Sequence, residues 1–243
     1  MVGAKVDKIF LKDLTEKPSM LEGYQILAMI GGFSFGDHIA AGKVLANIYK
    51  FRLGEEVQQF IEDGKLIFGE CNGFQVLVKA GFLPGFDGDY RTQRVTLTYN
   101  DSGVFEDRWV RLRVNPNSSC VFTKGIEELY LPVRHGEGKF VVGGSLDLRK
   151  LWEGNQIVLQ YVDMRGLPTM DYPQNPNGSV EAIAGICDPT GRVFGKMPHA
   201  TAYISPYNHP SWTREKVDGV LLKEGEGVKI FRNAVEYVRR NLV

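Results

Sequence analysis

The 243-residue chain has no excess of charge of either sign: 29 Lys and Arg balance 29 Asp and Glu. Nucleic-acid and anionic-membrane binders carry a basic footprint, so neither class of partner is expected. No apolar run approaches the roughly 18–20 residues that span a bilayer. The N-terminus has no signal-peptide or transit-peptide layout. Cysteine is scarce. Cys71, Cys120 and Cys187 are odd in number and far apart, which argues against a disulfide framework and for a reducing, cytosolic compartment. There is no C-x-x-C pair, and His38, His135, His199 and His209 are scattered, so no metal site is expected. A dinucleotide G-x-G-x-x-G spacing is absent too, as are internal repeats, low-complexity tracts and a dividing linker. Residues 1–243 therefore read as one domain.

What is present is an alternation of apolar runs and amphipathic stretches. Residues 6–11, 24–30 and 65–68 have strand character, and the run at 24–30 has the near-continuous apolar pattern of a strand buried on both faces. Residues 40–63 carry apolar side chains at spacings of three and four, with a break near Gly54, as in a helical region. The first 80 residues thus read as α/β, an open and mostly parallel sheet flanked by helices. Residues 94–99 and 108–114 alternate apolar and polar side chains, predicting an added antiparallel segment. A Pro-rich loop over 164–177, apolar strands at 182–187 and 192–197, and a last helix from about Val228 complete the chain.

The stretch Gly69-Glu70-Cys71-Asn72-Gly73-Phe74-Gln75 lies between a strand and a helix. A nucleophile-capable residue between two glycines at such a turn is the nucleophile-elbow pattern, here with Cys. The helix N-terminus is expected to lower the Cys71 thiol pKa. A thiol nucleophile needs a base, an oxyanion site and a group that reads the substrate. His199, after a late strand, is the best base among the four histidines. The N–H of Asn72 and those near Gly32-Phe33 are oxyanion candidates. Gln75, one helical turn beyond Cys71, shares its side, and its amide both donates and accepts. His135 and Glu137 lie in a Gly-punctuated turn that reads as a cleft loop. The implied chemistry is acyl transfer through a thioester. Plainer readings exist for each piece: a buried Cys in a Gly-rich turn, a solvated His, a tight strand exit at Gly31-Gly32, a surface turn at 135–138.

Gly31-Gly32-Phe33-Ser34-Phe35-Gly36-Asp37, the 69–75 elbow followed by Leu83-Pro84-Gly85, Arg108-Trp109-Val110, His135-Gly136-Glu137-Gly138, Asn175 to Ser179, Ile183-Ala184-Gly185-Ile186, Gly195-Lys196-Met197-Pro198-His199 and Phe231-Arg232-Asn233-Ala234 occur in this order. In these pieces the chain resembles the glutaminase subunit of phosphoribosylformylglycinamidine synthase, a class I glutamine amidotransferase of purine biosynthesis with a flavodoxin-like fold. The resemblance implies that Cys71 attacks the side-chain amide of glutamine and that His199 is the base. It assigns Gly32, Phe33, Asn72 and Gln75 to the substrate side, with His135 and Glu137 lining the same cleft. It implies no cofactor in this chain. ATP and Mg are used by a partner synthetase subunit, which takes the ammonia to convert formylglycinamide ribonucleotide to the amidine, with a small accessory subunit in the complex.

Two departures from the resemblance carry expectations. The family continues His-Pro-Glu where this chain reads His199-Ala200-Thr201. Thr cannot stabilise an imidazolium by charge, so either the glutaminase is weakened or another acid such as Glu137 substitutes. The family's first strand and helix have no counterpart before residue 6, which is expected to expose apolar faces of neighbouring strands and to favour aggregation. Two other classes fit the residues: a Cys-elbow hydrolase of another family, disfavoured by Gln75 and the 31–37 segment, and a catalytically impaired assembly subunit, favoured by Thr201.

Overall fold

The computed structural model describes residues 2–243. In chain order they form α1 (Leu11–Glu16), β1 (Ile26–Met29), α2 (Lys43–Arg52), α3 (Gly54–Glu62), β2 (Leu66–Glu70), α4 (Asn72–Ala80), β3 (Val95–Thr98), β4 (Glu106–Val114), β5 (Glu128–His135), β6 (Lys139–Val142), α5 (Ser145–Glu153), β7 (Ile157–Tyr161), β8 (Ile183–Cys187), β9 (Val193–Lys196), α6 (Trp212–Val217) and α7 (Gly227–Asn241). Seven strands make one sheet in the order β1-β2-β9-β8-β7-β4-β5, and β3 pairs with β6 apart from it. The β1-β2 and β2-β9 pairs are parallel and the other pairs of the large sheet antiparallel. Strands β1, β2, β9, β7 and β5 therefore point one way, with β8 and β4 reversed. The expected α/β architecture is present; of the predicted antiparallel segment, residues 108–114 (β4) are built into the same sheet, while 94–99 (β3) pair with β6 outside it.

The sheet curls far enough that its distant edge returns to the parallel half. The His199 N–H, beyond β9, donates to the Pro132 carbonyl of edge strand β5 at 2.7 Å. Inside the curl lies one apolar core that joins Leu66 and Phe68 of β2 with Leu112, Leu131, Tyr161 and Phe194 and with Ile230 of α7. Phe68 meets Phe231 of α7 edge-on at 5.5 Å. Helices α1 to α5 cover the other face over a second core that includes Phe60, Ile67, Phe74 and Leu77.

Two sequence expectations need correction. Residues 6–11 form no strand; the chain has no regular secondary structure there until α1 begins at Leu11. Strand β1 is not buried on both faces. It is the sheet edge, with Ala28 exposed and Met29 buried, and Ile30 just after it is 70% exposed. An apolar run reports strand propensity, whereas burial depends on which neighbours arrive on each side.

Helix α4 sits unusually close to the sheet. Gly69 and Gly195 are paired across β2 and β9. A methyl on Gly69 would lie 2.5 Å from Leu77 Cδ1, and one on Gly195 would lie 2.1 Å from the Phe74 ring. The glycine pair is thus a flat seat for Phe74 and Leu77. Since Phe74 is fully buried and stacked on Phe140 at 6.2 Å, it has no room to retreat. Gly195→Ala is expected to cost about 1–3 kcal/mol by overpacking, a fall in Tm of several degrees, measured by chemical and thermal denaturation against the parent.

Candidate active site

The carboxyl end of β2 and the amino end of α4 are joined by Cys71 alone. Cys71 consequently holds φ 53°, ψ −107°, a conformation that costs an L-residue about 1–3 kcal/mol. Gly73 must be glycine here, since a Cβ would lie 1.9 Å from the Met29 carbonyl oxygen. The sulfur faces the end of β5, 3.6 Å from the Arg134 carbonyl oxygen. The backbone N–H of Asn72 points toward it and favours the thiolate, but burial outweighs that effect and pushes the Cys71 thiol up to about 12. The expected lowering is therefore corrected: a helix N-terminus is a partial charge, and it is overridden when the sulfur is only 6% exposed.

The structure brings Cys71 and His199 together. Both lie against Gly31: a methyl there would be 3.0 Å from His199 Cε1 and 3.4 Å from Cys71 Cβ. His199 Nε2 is buried without a hydrogen-bond partner. Burial holds the imidazole below its ordinary pKa, so it rests neutral and able to accept a proton. Gly32 follows with φ 142°, a backbone that L side chains rarely adopt, and Phe33 is exposed and packs near Phe105. A groove of about 340 Å³ runs along residues 31–34, Asn72 and Gly73. Neither Cys71 nor His199 lines it.

The other expected site residues gather around the elbow with different tasks. Gln75 is buried, its amide donating to the Glu137 carbonyl oxygen and accepting from Asn72 Nδ2 at 3.0 Å. Its amide is spent on the protein, where it ties α4 to the 135–138 loop. Asn72 Oδ1 accepts from Ser34 Oγ at 2.7 Å, fixing the Gly31–Ser34 segment. His135 is buried with Nδ1 3.0 Å from Asn100 Oδ1 and Nε2 unpartnered; desolvation lowers its pKa to about 3. The Asn100 side chain also accepts from Gly138 N–H and donates to the His135 carbonyl, so it shapes this loop. The Asn175-to-Ser179 turn supports the loop from behind, its Ser179 Oγ accepting from Phe140 N–H at 2.9 Å.

Glu137 does not approach His199. Its Oε2 accepts from Ala41 N–H at 3.1 Å and pairs with Lys79 Nζ at 3.7 Å, which corrects the expectation that it is the substitute acid. The acid beside His199 is Glu70, with Oε1 3.6 Å from Nδ1. Glu70 is fully buried. Its Oε2 accepts from Lys196 Nζ at 2.6 Å and Ala200 N–H at 2.7 Å, and its Oε1 from Thr201 Oγ1. These partners hold its carboxyl below the ordinary range despite burial, and Lys196 is held below the ordinary lysine range by its own desolvation. Sequence reasoning missed both residues. The available signal was one charged residue ending each of two otherwise apolar strands, and Glu70 and Lys196 are register partners.

Three cysteines are free and buried. Among the described residues no group of three or more His, Cys, Asp or Glu is arranged to hold a metal, and no helix is long and apolar enough to cross a membrane.

A family model for the CobB/CobQ-like glutamine amidotransferase domain matches residues 1–238. The chain is 47% identical over 240 residues to the phosphoribosylformylglycinamidine synthase subunit PurQ of Dehalococcoides mccartyi, covering 99% of this chain and 90% of that protein. It is 39% identical to the PurQ subunit of Archaeoglobus fulgidus over 243 residues, covering 96% and 86%. Among solved structures, PurLQS from Thermotoga maritima aligns with TM-score 0.63 and 30% identity over 88% of this chain and 80% of that one. The glutaminase domain of Trypanosoma brucei CTPS aligns with TM-score 0.51 at 13% identity over 96% and 82%, a likeness of fold alone.

With the thiol protonated at rest, iodoacetamide modification of Cys71 in the free chain is expected to be slow at pH 7 and to climb about tenfold per pH unit up to pH 10. Peptide mapping of alkylated Cys71 against pH checks this; a plateau below pH 7 would show a resting thiolate.

Proposed function

We propose, on the premise that this chain belongs to the CobB/CobQ-like glutamine amidotransferase family, that it is the glutamine-hydrolysing subunit of a phosphoribosylformylglycinamidine synthase. Residues 1–243 act as one amidotransferase domain in a reducing, cytosolic compartment. Relatives over nearly the whole chain bear the PurQ name, and the strained Cys71 elbow, flanking Gly31 together with the His199 ring, supplies the chemistry that such a subunit requires. That pairing is the observation that carries the reading.

His199 Nε2 takes the Cys71 proton as the sulfur adds to the side-chain carbonyl carbon of glutamine. Negative charge then develops on the carbonyl oxygen, where the Asn72 N–H and backbone N–H groups at Gly32-Phe33 receive it. The imidazolium returns the proton to the departing nitrogen, ammonia leaves and a γ-glutamyl thioester remains. His199, neutral again, takes a proton from water, which attacks the thioester and releases glutamate. Gln75, His135 and Glu137 hold the cleft wall against which the substrate is placed. The ammonia passes to a synthetase subunit, with a small accessory subunit in the complex. ATP and Mg are assigned to the synthetase, and no cofactor is assigned to this chain.

The test is ammonia release from glutamine by the chain reconstituted with its synthetase partner. Cys71→Ala is expected to reduce it by at least about 10³-fold, while amidine formation by the same complex from ammonium salt is retained. Glutamine-dependent turnover surviving in Cys71→Ala overturns the reading.

A further inference from the structure

We infer that Glu70, the residue immediately before the nucleophile, is the positioning acid of His199: its buried carboxylate holds the Nδ1–H side of the imidazole and stabilises the imidazolium formed during turnover. This rests on the reading of Cys71 and His199 as nucleophile and base.

A catalytic imidazole needs one nitrogen free toward the nucleophile and the other oriented by a third group. His199 meets the first condition, since Nε2 has no partner and the ring shares the Gly31 contact with Cys71. For the second, Glu70 Oε1 at 3.6 Å is the only carboxylate within ion-pair distance of the ring among the described residues. That separation is long for a hydrogen bond, as is common before substrate tightens a site.

The carboxylate is well held for this task. Lys196 Nζ and Ala200 N–H occupy Oε2, and Thr201 Oγ1 donates to Oε1, leaving that oxygen a lone pair for Nδ1–H. Ala200 and Thr201 follow His199 directly, so the same carboxylate fixes the backbone that carries the base. The other charges acting on the ring are Lys196, Arg134 and Asp107, and His135 lies close enough to be felt. Glu70 favours the imidazolium and Lys196 opposes it.

A purely structural reading, in which Glu70 exists only to neutralise Lys196, makes a different forecast. Glu70→Gln/Lys196→Met removes both charges together and leaves no unpaired buried charge, though it also removes the Lys196 donor to the Pro198 carbonyl. In the reconstituted complex, with folding checked by circular dichroism, this variant is expected to lose about 10²–10⁴-fold in kcat for glutamine hydrolysis, with KM changed less than about threefold. Residue 201 already reaches Glu70, so Thr201→Glu added to that variant returns a carboxylate to the same place and is expected to restore at least about tenfold of the lost kcat. In Lys196→Met alone, the acid limb of kcat/KM is expected to move to higher pH, since the opposing charge on His199 is gone. A kcat within about threefold of the parent in Glu70→Gln/Lys196→Met overturns the inference. So does a loss that Thr201→Glu does not relieve. Should the double variant fail to fold, Glu70→Asp keeps a carboxylate for the flexible Lys196 side chain but withdraws it from His199 Nδ1: a kcat lowered at least about tenfold supports the inference, and a kcat within about threefold of the parent overturns it. Cys71→Ala separates this from failure of the underlying reading. If that variant still hydrolyses glutamine, the nucleophile assignment falls, whereas a dead Cys71→Ala beside active Glu70 variants sinks the role of Glu70 alone.

Discussion

The close seating of α4 on the Gly69-Gly195 pair is the constraint from which the rest follows. With Phe74 and Leu77 pressed onto two glycines, the helix starts one residue after β2 ends. No ordinary turn fits in one residue, so Cys71 takes a positive φ and its side chain is thrown off the strand end. The strain is sustained because both flanking elements are packed and cannot yield. The same approach brings Gly31 against the elbow, which is how the loop after β1 reaches Cys71 and His199 together.

Curling of the sheet provides the other wall. His199 and Cys71 each contact the carboxyl end of β5, through the Pro132 and Arg134 carbonyls, although β5 and β1 are opposite edges of the sheet. The site is therefore enclosed from both directions, and enclosure sets its electrostatics. Cys71 is kept a thiol and His199 neutral, while Glu70 stays ionised because Lys196 and two N–H groups satisfy it. In the proposed mechanism such a site separates charge only when a substrate provides the occasion.

The Gly-rich segment at 135–138 has its shape set from three sides. Asn100 holds its two ends, the Asn175-to-Ser179 turn braces β6 behind it, and Gln75 ties it to α4. Gly138 is required there because a Cβ would overlap the His135 ring. Much of the polar chemistry near the elbow thus serves to position backbone, which is why Gln75, whose amide was read from the sequence as a substrate contact, spends that amide on the protein, as does the side chain of Asn72.

Most of the order of strands and helices, the strand–Cys71–helix turn and the place of His199 just past a strand end were legible in the sequence, since each rests on local pattern: apolar periodicity, paired glycines and a His closing a strand. Helices α2, α3 and α7 and strands β2, β8 and β9 lie close to where that periodicity puts them. The edge exposure of β1, the unformed strand at residues 6–11, the raised thiol pKa and the acid at Glu70 were not legible. Each depends on what arrives from elsewhere in the chain: which strand covers a face, how much water reaches a sulfur, and whether a lysine 126 residues away lands within 2.6 Å of a carboxylate. Sequence spacing determines which side chains share a face of one element. Desolvation and cross-strand charge pairing exist only once the elements are packed, and here they decide which residue stands beside His199.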